Sequence, residues 1–315
     1  MFHFKKVNFI NSNFRDEIKG EMISFASAIT ERIMKNRIKT DSRLFSWLTL
    51  GLLAIIWGSS FILMKRGLEA YSAAEVGALR VVISAVVLLP LALRSYKEYL
   101  QKYWKHFLFF AVLTNLGPSI LFATAQTRIS SSLAGVLNGM TPIFTFSIGV
   151  LFFSAPFKVN QAVGLVIELG EINYFAFFVV LATIFYGLGS NFLSKHFKGI
   201  HPVALTSLAF MTVLPVALVV LLSSGFIYTV ATHPKALSSF GYIAILAVVG
   251  TAMSLILFNR MIQKTSPVFA STVTYLIPIV AVIWGFIDGE ALSIWHFVGM
   301  ALVISGVYFI NMKRS

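Results

Sequence analysis

The side chains best placed to do chemistry in this chain are polar groups set inside long apolar runs. Asn138 stands four residues before Pro142, and 136 residues further on Thr274 stands four residues before Pro278. A proline inside an apolar helix lacks the N–H that would serve the carbonyl four residues back. Such breaks persist where a cavity or a neighbouring helix satisfies the freed carbonyl. The chemistry on offer is non-covalent: hydrogen bonding to a solute within a helical bundle, beside bent backbone. A static packing kink is the alternative reading of both prolines. Asn115, Asn191 and Tyr275 also lie deep in apolar runs. Unpaired amides are costly in lipid, so these groups should face the protein interior and serve either a solute or a neighbouring helix. Trp57 and Tyr186 add aromatic faces for stacking and Ser60 a small hydroxyl; an interfacial belt or ordinary packing is the alternative for the aromatics. The candidate solute-contacting set is therefore Trp57, Ser60, Asn115, Asn138, Tyr186, Asn191, Thr274 and Tyr275, with helix kinks at Pro142 and Pro278.

Three charged or titratable groups join these candidates. Arg80 opens an apolar helix, where it either pairs with a solute carboxylate as a gating charge, pairs with nearby Glu75, or snorkels to the interface. Glu168 is a carboxylate inside the short expected span at 159–169 and offers a route for proton coupling. His296 is of the residue type that can change charge near neutral pH, with a simple interfacial histidine as the alternative reading. An intramembrane enzyme would need a paired acid and base or a metal cluster. The chain has no Cys, no His-Glu-x-x-His, and six scattered His, so no metal site and no cofactor are expected, and enzyme activity is the weaker alternative.

The elements that must position these residues are membrane helices. Hydrophobic residues make up 57% of 315 and charged residues only 12%; mean hydropathy is +0.84. Apolar runs of about 20 residues cross a hydrocarbon core of about 30 Å. In lipid such runs must be helices, because nothing else there satisfies the backbone. Ten spans are expected, over 44–64, 74–93, 107–125, 133–153, 159–169, 173–193, 203–226, 240–262, 268–286 and 294–310. The net charge of +13 does not indicate nucleic acid, since the basic residues are dispersed among short loops. They report topology instead. With the N-terminus in the cytoplasm, twenty Lys and Arg fall on the cytoplasmic side; Lys65, Arg66, Arg80, Arg128 and Lys235 make five on the other, accounting for all 25. That asymmetry calls for both termini inside the cell.

The halves repeat. Sliding the chain by 136 aligns 120–149 with 256–285, and eight of those thirty positions are identical, among them Ser130/Ser266, Pro142/Pro278 and Gly149/Gly285. Five spans followed by five more place the two copies upside down relative to each other. Inverted repeats of this kind are a recurring construction of secondary transporters, with the substrate site between the halves. The expected domains are a basic extension over 1–43, a first five-helix repeat over 44–169 and a second over 173–312. Within the extension Phe14, Ile18, Met22, Phe25, Ile29 and Ile33 form a helical stripe suited to the anionic cytoplasmic leaflet, or else the segment is a tail. The span at 159–169 is short for a crossing, and reading on through it would bury Glu168 and Glu171. Losing that crossing would invert everything after it.

Trp57-Gly58-Ser59-Ser60-Phe61 followed by Lys65, then Ala78-Leu79-Arg80, then Ser130-Ser131-Ser132-Leu133-Ala134 with Pro142, echoed by Ser266-Pro267 through Pro278, give the chain a resemblance. From about residue 44 to the C-terminus it resembles the drug/metabolite transporter superfamily, EamA-type branch. The resemblance implies an all-α integral membrane protein of ten transmembrane helices in two inverted five-helix repeats, lying in the bacterial inner membrane. It implies a secondary transporter that exports small metabolites, amino-acid-like or drug-like, by alternating access. The long extension and the short fifth span depart from that pattern. They leave open a non-transporting remnant of such a carrier.

Overall fold

The computed structural model describes residues 42–153 and 174–292. The stripe within 1–41, the short span with Glu168, and the last span with His296 lie outside the described residues. The chain divides into two units, Met1–Phe45 and Ser46–Ser315. Of the first, only the opening turn of a helix at 42–45 is described. The other described residues, 46–153 and 174–292, belong to the second unit.

Every regular element among the described residues is helical. In order these are α1 (Ser42–Gly67), α2 (Ala73–Ala111), α3 (Gly117–Gln126), α4 (Ser131–Asn138), α5 (Thr141–Phe153), α6 (Tyr174–His196), α7 (Pro202–Ser223), α8 (Phe226–Thr232), α9 (Ala236–Ala247), α10 (Ser254–Lys264), α11 (Pro267–Ser271) and α12 (Ile277–Ile287). A π-helical segment, Val112–Leu116, joins α2 to α3, and another, Val248–Met253, joins α9 to α10. A 3-10 turn, Thr272–Tyr275, joins α11 to α12.

Seven continuous helical stretches among the described residues are long and apolar enough to cross a membrane. One of them, Ala73–Gln126, runs 54 residues. Straight, it would measure about 80 Å against a hydrocarbon core of about 30 Å. It bends at Tyr103, which leaves helical geometry (φ −122°, ψ 16°). Beyond the bend the chain doubles back, because a Cβ on Gly77 would lie 2.9 Å from the backbone of Ile120. The stretch is a hairpin of two passes. The sequence predicts a loop between 93 and 107; residues 94–106 contain neither Gly nor Pro, and Arg94, Lys97, Glu98, Leu100, Gln101, Lys102 and Lys105 are good helix formers, so helix continues on both sides of the bend at Tyr103.

The expected fourth and ninth spans are each broken in two. α4 ends at Asn138 and α5 begins at Thr141; α11 gives way to the 3-10 turn before α12 begins at Ile277. Pro142 and Pro278 therefore sit in the first turn of a new helix, where a missing N–H costs least, rather than in a continuous helix interior. At the first break Thr141 Oγ1 donates to Asn138 O at 2.8 Å, the carbonyl that Pro142 cannot serve.

Helix starts follow local chemistry. Ser72 and Glu75 form a capping box at the start of α2. Ser130 caps α4 and Ser266 caps α11. Gly225, at φ 88°, turns the chain from α7 into α8, a short helix that the sequence does not announce. The core is centred on α2 against α7, where Val81, Ala85, Leu88 and Ala92 share a buried cluster with Leu205, Leu208, Ala209 and Val213. The alanines let the backbones approach, which is how helices associate when lipid removes the hydrophobic contrast. On α1 the stripe Leu48, Leu52 and Ile55 is exposed, while Leu50, Leu53 and Ala54 are buried. An apolar stripe on the outside of an apolar bundle suits lipid rather than water.

Candidate functional site

A cavity of about 80 Å³ lies within the bundle. α1 contributes Trp57, Ser60, Phe61 and Met64, and α2 contributes Arg80 and Phe110. Thr114 and Asn115 come from the first π segment, Ser119 and Phe122 from α3, and Asn138 and Thr141 from the break before α5. From later in the chain come Tyr186, Ser190 and Leu193 on α6, Thr251 on the second π segment, four residues of α10, then Thr274 and Ile277. The helix breaks matter here because they bring Asn138 and Thr274 to the lining at chain interruptions rather than on smooth helix faces.

The structure thus gathers Trp57, Ser60, Arg80, Asn115, Asn138, Tyr186 and Thr274 around one space. Two of the expected set lie elsewhere. Asn191 donates both amide hydrogens to backbone, to Thr145 O at 2.7 Å and Gly187 O at 2.9 Å, and ties α6 to α5. Tyr275 is buried in the 3-10 turn outside the lining. Thr251 and Asn259 line the cavity although sequence reasoning does not single them out. The repeat offset was the signal for Thr251, which stands 136 residues after Asn115. Asn259 Nδ2 donates to Thr206 Oγ1 at 2.8 Å, joining α10 to α7.

The second π segment is a joint for earlier helices. Trp57 Nε1 donates to Gly250 O and to Ser254 Oγ, each at 2.9 Å. Arg80 Nε donates to Thr251 Oγ1 at 2.6 Å, and Ser84 Oγ donates to Ala247 O at 2.8 Å. The indole N–H is therefore committed to the protein, and the Trp57 ring reaches the cavity as an aromatic surface, edge-on to Phe258. Tyr186 stacks on Phe122 in the same lining. Glu75 does not reach Arg80: its carboxylate accepts from Ser72 N at 2.7 Å and Thr229 Oγ1 at 3.1 Å. Nor does Arg80 snorkel, being 9% exposed.

The profile of the EamA-like transporter family matches this chain twice, over residues 45–170 and 173–312. The chain belongs to the EamA-like transporter family. It is 24% identical over 277 residues to the "Uncharacterized inner membrane transporter YedA" of Escherichia coli (strain K12), covering 83% of this chain and 89% of that protein. It is 24% identical over 290 residues to an "Uncharacterized transporter" of Archaeoglobus fulgidus, covering 85% of this chain and 99% of that protein. A solved crystal structure shares the fold with a TM-score of 0.62 at 12% identity, covering 85% of this chain and 96% of the other.

In this EamA-like chain the cavity lies between the two matched regions, and ion pairs join those regions at one end. Lys65 Nζ donates to Asp288 Oδ2 at 2.6 Å and to Glu290 Oε1 at 2.9 Å. Arg66 pairs with Asp288, and with Glu69 at 2.7 Å; Lys235 closes on Glu69 at 2.6 Å. Glu290 also accepts from N and Oγ of both Ser131 and Ser132, at 2.6 to 3.1 Å. A carboxylate is thus seated on the positive N-terminal end of α4. Burial opposes ionisation of Glu290, but the bonds from Ser131, Lys65 and Ser132 outweigh it and hold the carboxyl down at about 2. Glu69 is likewise lowered, by Lys235 first and then Arg66. Three of the five basic residues assigned to the sparsely charged side are therefore bound to acids.

Proposed function

We propose that this EamA-like chain is a secondary transporter that moves small organic solutes across the inner membrane by alternating access. In this reading ten crossings form two inverted five-helix repeats, both termini are cytoplasmic, and the direction is outward. The solutes are small and amphipathic, amino-acid-like or drug-like. They bind among Trp57, Ser60, Asn115, Asn138, Tyr186 and Thr274, with Arg80 as a gating charge. The observation that carries the reading is a cavity lined from both family matches, with ion pairs that join those matches at one end and that we read as a latch. A carrier needs such a latch to be broken and remade in each cycle, because access to the site must change sides. The name of the Escherichia coli relative supports the inner membrane as location.

The experiment uses the absence of Cys from the chain. A single Asn138→Cys substitution gives one thiol at the cavity with no background to remove. Impermeant thiol reagents applied to either side of oriented vesicles should label it from the side away from the latch. Breaking the latch by Lys65→Ala should admit reagent from the latch side. Labelling that is indifferent to side and to the latch, together with no solute flux into proteoliposomes, sinks the carrier reading.

A further inference from the structure

Among the described residues, Arg80 is a cation without an anion. Its guanidinium carries five N–H donors and stays ionised. The structure gives it one hydrogen bond, from Nε to Thr251 Oγ1. Among the described residues no carboxylate lies within ion-pairing distance of it. Glu75, the nearest acid in sequence, is held by Ser72 and Thr229. Arg80 is nonetheless 9% exposed and lines the cavity, so the open direction for its remaining N–H groups is that space. A buried charge is costly when unpaired, and the cost is relieved by an anion that brings acceptors to it. Tyr186 lines the same cavity.

The rest of the lining sets the other end of the ligand. Among the described residues that line the cavity there is no Asp or Glu. An ammonium group entering the cavity would find no carboxylate among them and would sit beside a fixed guanidinium. The large side chains are aromatic or aliphatic: Trp57, Phe61, Phe122 and Phe258 present rings. With one fixed positive charge and large apolar side chains set among neutral Ser, Thr and Asn groups, the cavity complements one negative charge on a largely apolar body.

We propose that the ligand of this cavity is an organic monocarboxylate, its carboxylate on the Arg80 guanidinium and its apolar body against Trp57 and the neighbouring rings. This rests on the transporter reading and narrows its substrate class. It favours a free monocarboxylate over the zwitterionic amino acid with the same body. Arginine matches a carboxylate with two parallel N–H donors, a geometry that lysine cannot reproduce.

The test is a charge series on one body, using purified full-length protein in lipid nanodiscs. The probes are 3-phenylpropionate, its neutral amide, and phenylalanine, with binding read by tryptophan fluorescence and thermal shift. The carboxylate should bind at least tenfold more tightly than either of the others. Arg80→Gln should erase that preference, and Arg80→Lys should keep part of it. Equal binding of carboxylate and amide overturns the proposal. So does a lack of response to the carboxylate, or a preference that survives in Arg80→Gln. If that variant does not fold, the wild-type comparison decides alone. Flux in proteoliposomes separates the two levels. Transport of the amide but not the carboxylate overturns the anion assignment only, whereas transport of no solute of any charge overturns the carrier reading.

Discussion

The helices that begin at Ser131 and at Pro267 stand 136 residues apart and start in the same way. Ser130 Oγ accepts from Leu133 N and Ser266 Oγ accepts from Phe269 N, both at 3.1 Å. What the two starts hold is different. Ser131 and Ser132 offer two hydroxyls and two amides to Glu290. Their counterparts are Pro267 and Val268, which have no hydroxyl and, at Pro267, no amide hydrogen. One start is a receptor for a carboxylate and the other is only a helix start. The scaffold is shared between the two copies, while the latch chemistry is written in one. A carrier built from two like halves needs such an inequality if its two ends are to open under different conditions.

Removing the carboxylate should break this comparison most strongly. Glu290→Ala strips the acceptor from Lys65 and from both serines, and should lower stability by about 2–3 kcal/mol. Thermal unfolding in nanodiscs would show it, and a variant as stable as the parent would mean that the latch holds nothing. The acid limb is the second way. Glu290 is held at about 2 against an ordinary value of 4.5. The stability it adds is complete above the ordinary value and is lost as pH falls from there toward 2. Unfolding measured across that range should show a step that Glu290→Gln removes, and a step that persists in the variant would assign it to another acid. The caps come next. Ser130→Ala and Ser266→Ala should each cost about 1 kcal/mol. Unequal costs would show that the likeness of the two starts is only geometric. The smallest effect is expected at the start that binds nothing. Giving it hydroxyls, in the double variant Pro267→Ser with Val268→Ser, should change stability by no more than about 0.5 kcal/mol, because no carboxylate among the described residues faces it. A larger gain would reveal an acceptor there.

Much of this likeness was legible in the sequence and some of it was not, for physical reasons. The prolines show because that residue type has one strong backbone consequence, although the sequence reads each as a kink within a span where the structure has a break. Ser130 and Ser266 show only as matched residues of the repeat, and their capping role needs the folded chain. The π segments at 112–116 and 248–253 did not show, although they obey the same offset of 136. A π turn has no composition of its own, and both stretches read as ordinary apolar helix. The latch did not show because Lys65 and Glu290 lie 225 residues apart. Only the folded chain tells which loop acid meets which helix start. Among the candidate side chains the sequence found polar groups inside apolar runs but not their partners. Asn115 and Asn138 line the cavity, whereas Asn191, equally buried, spends both hydrogens on backbone. Arg80 looked like an interfacial charge from its place near a helix start. Its burial became visible only once α2 was packed against the second π segment.

A π turn is an α-helix carrying one residue too many. At 3.6 residues per turn, one residue added to a regular α-helix would rotate everything after it by about 100°. A π turn takes that residue up in a wider turn, so the helix beyond keeps its heading while every later residue moves one place along it. The segment Val248–Met253 in this way sets the register of α10, in which Phe258 meets Trp57 and Asn259 meets Thr206. Removing one residue from the segment would let it close to a regular helix with the same face of α10 on the cavity. The same deletion made within α10 ahead of Phe258 has no wide turn to absorb it, and would turn Phe258 and Asn259 away.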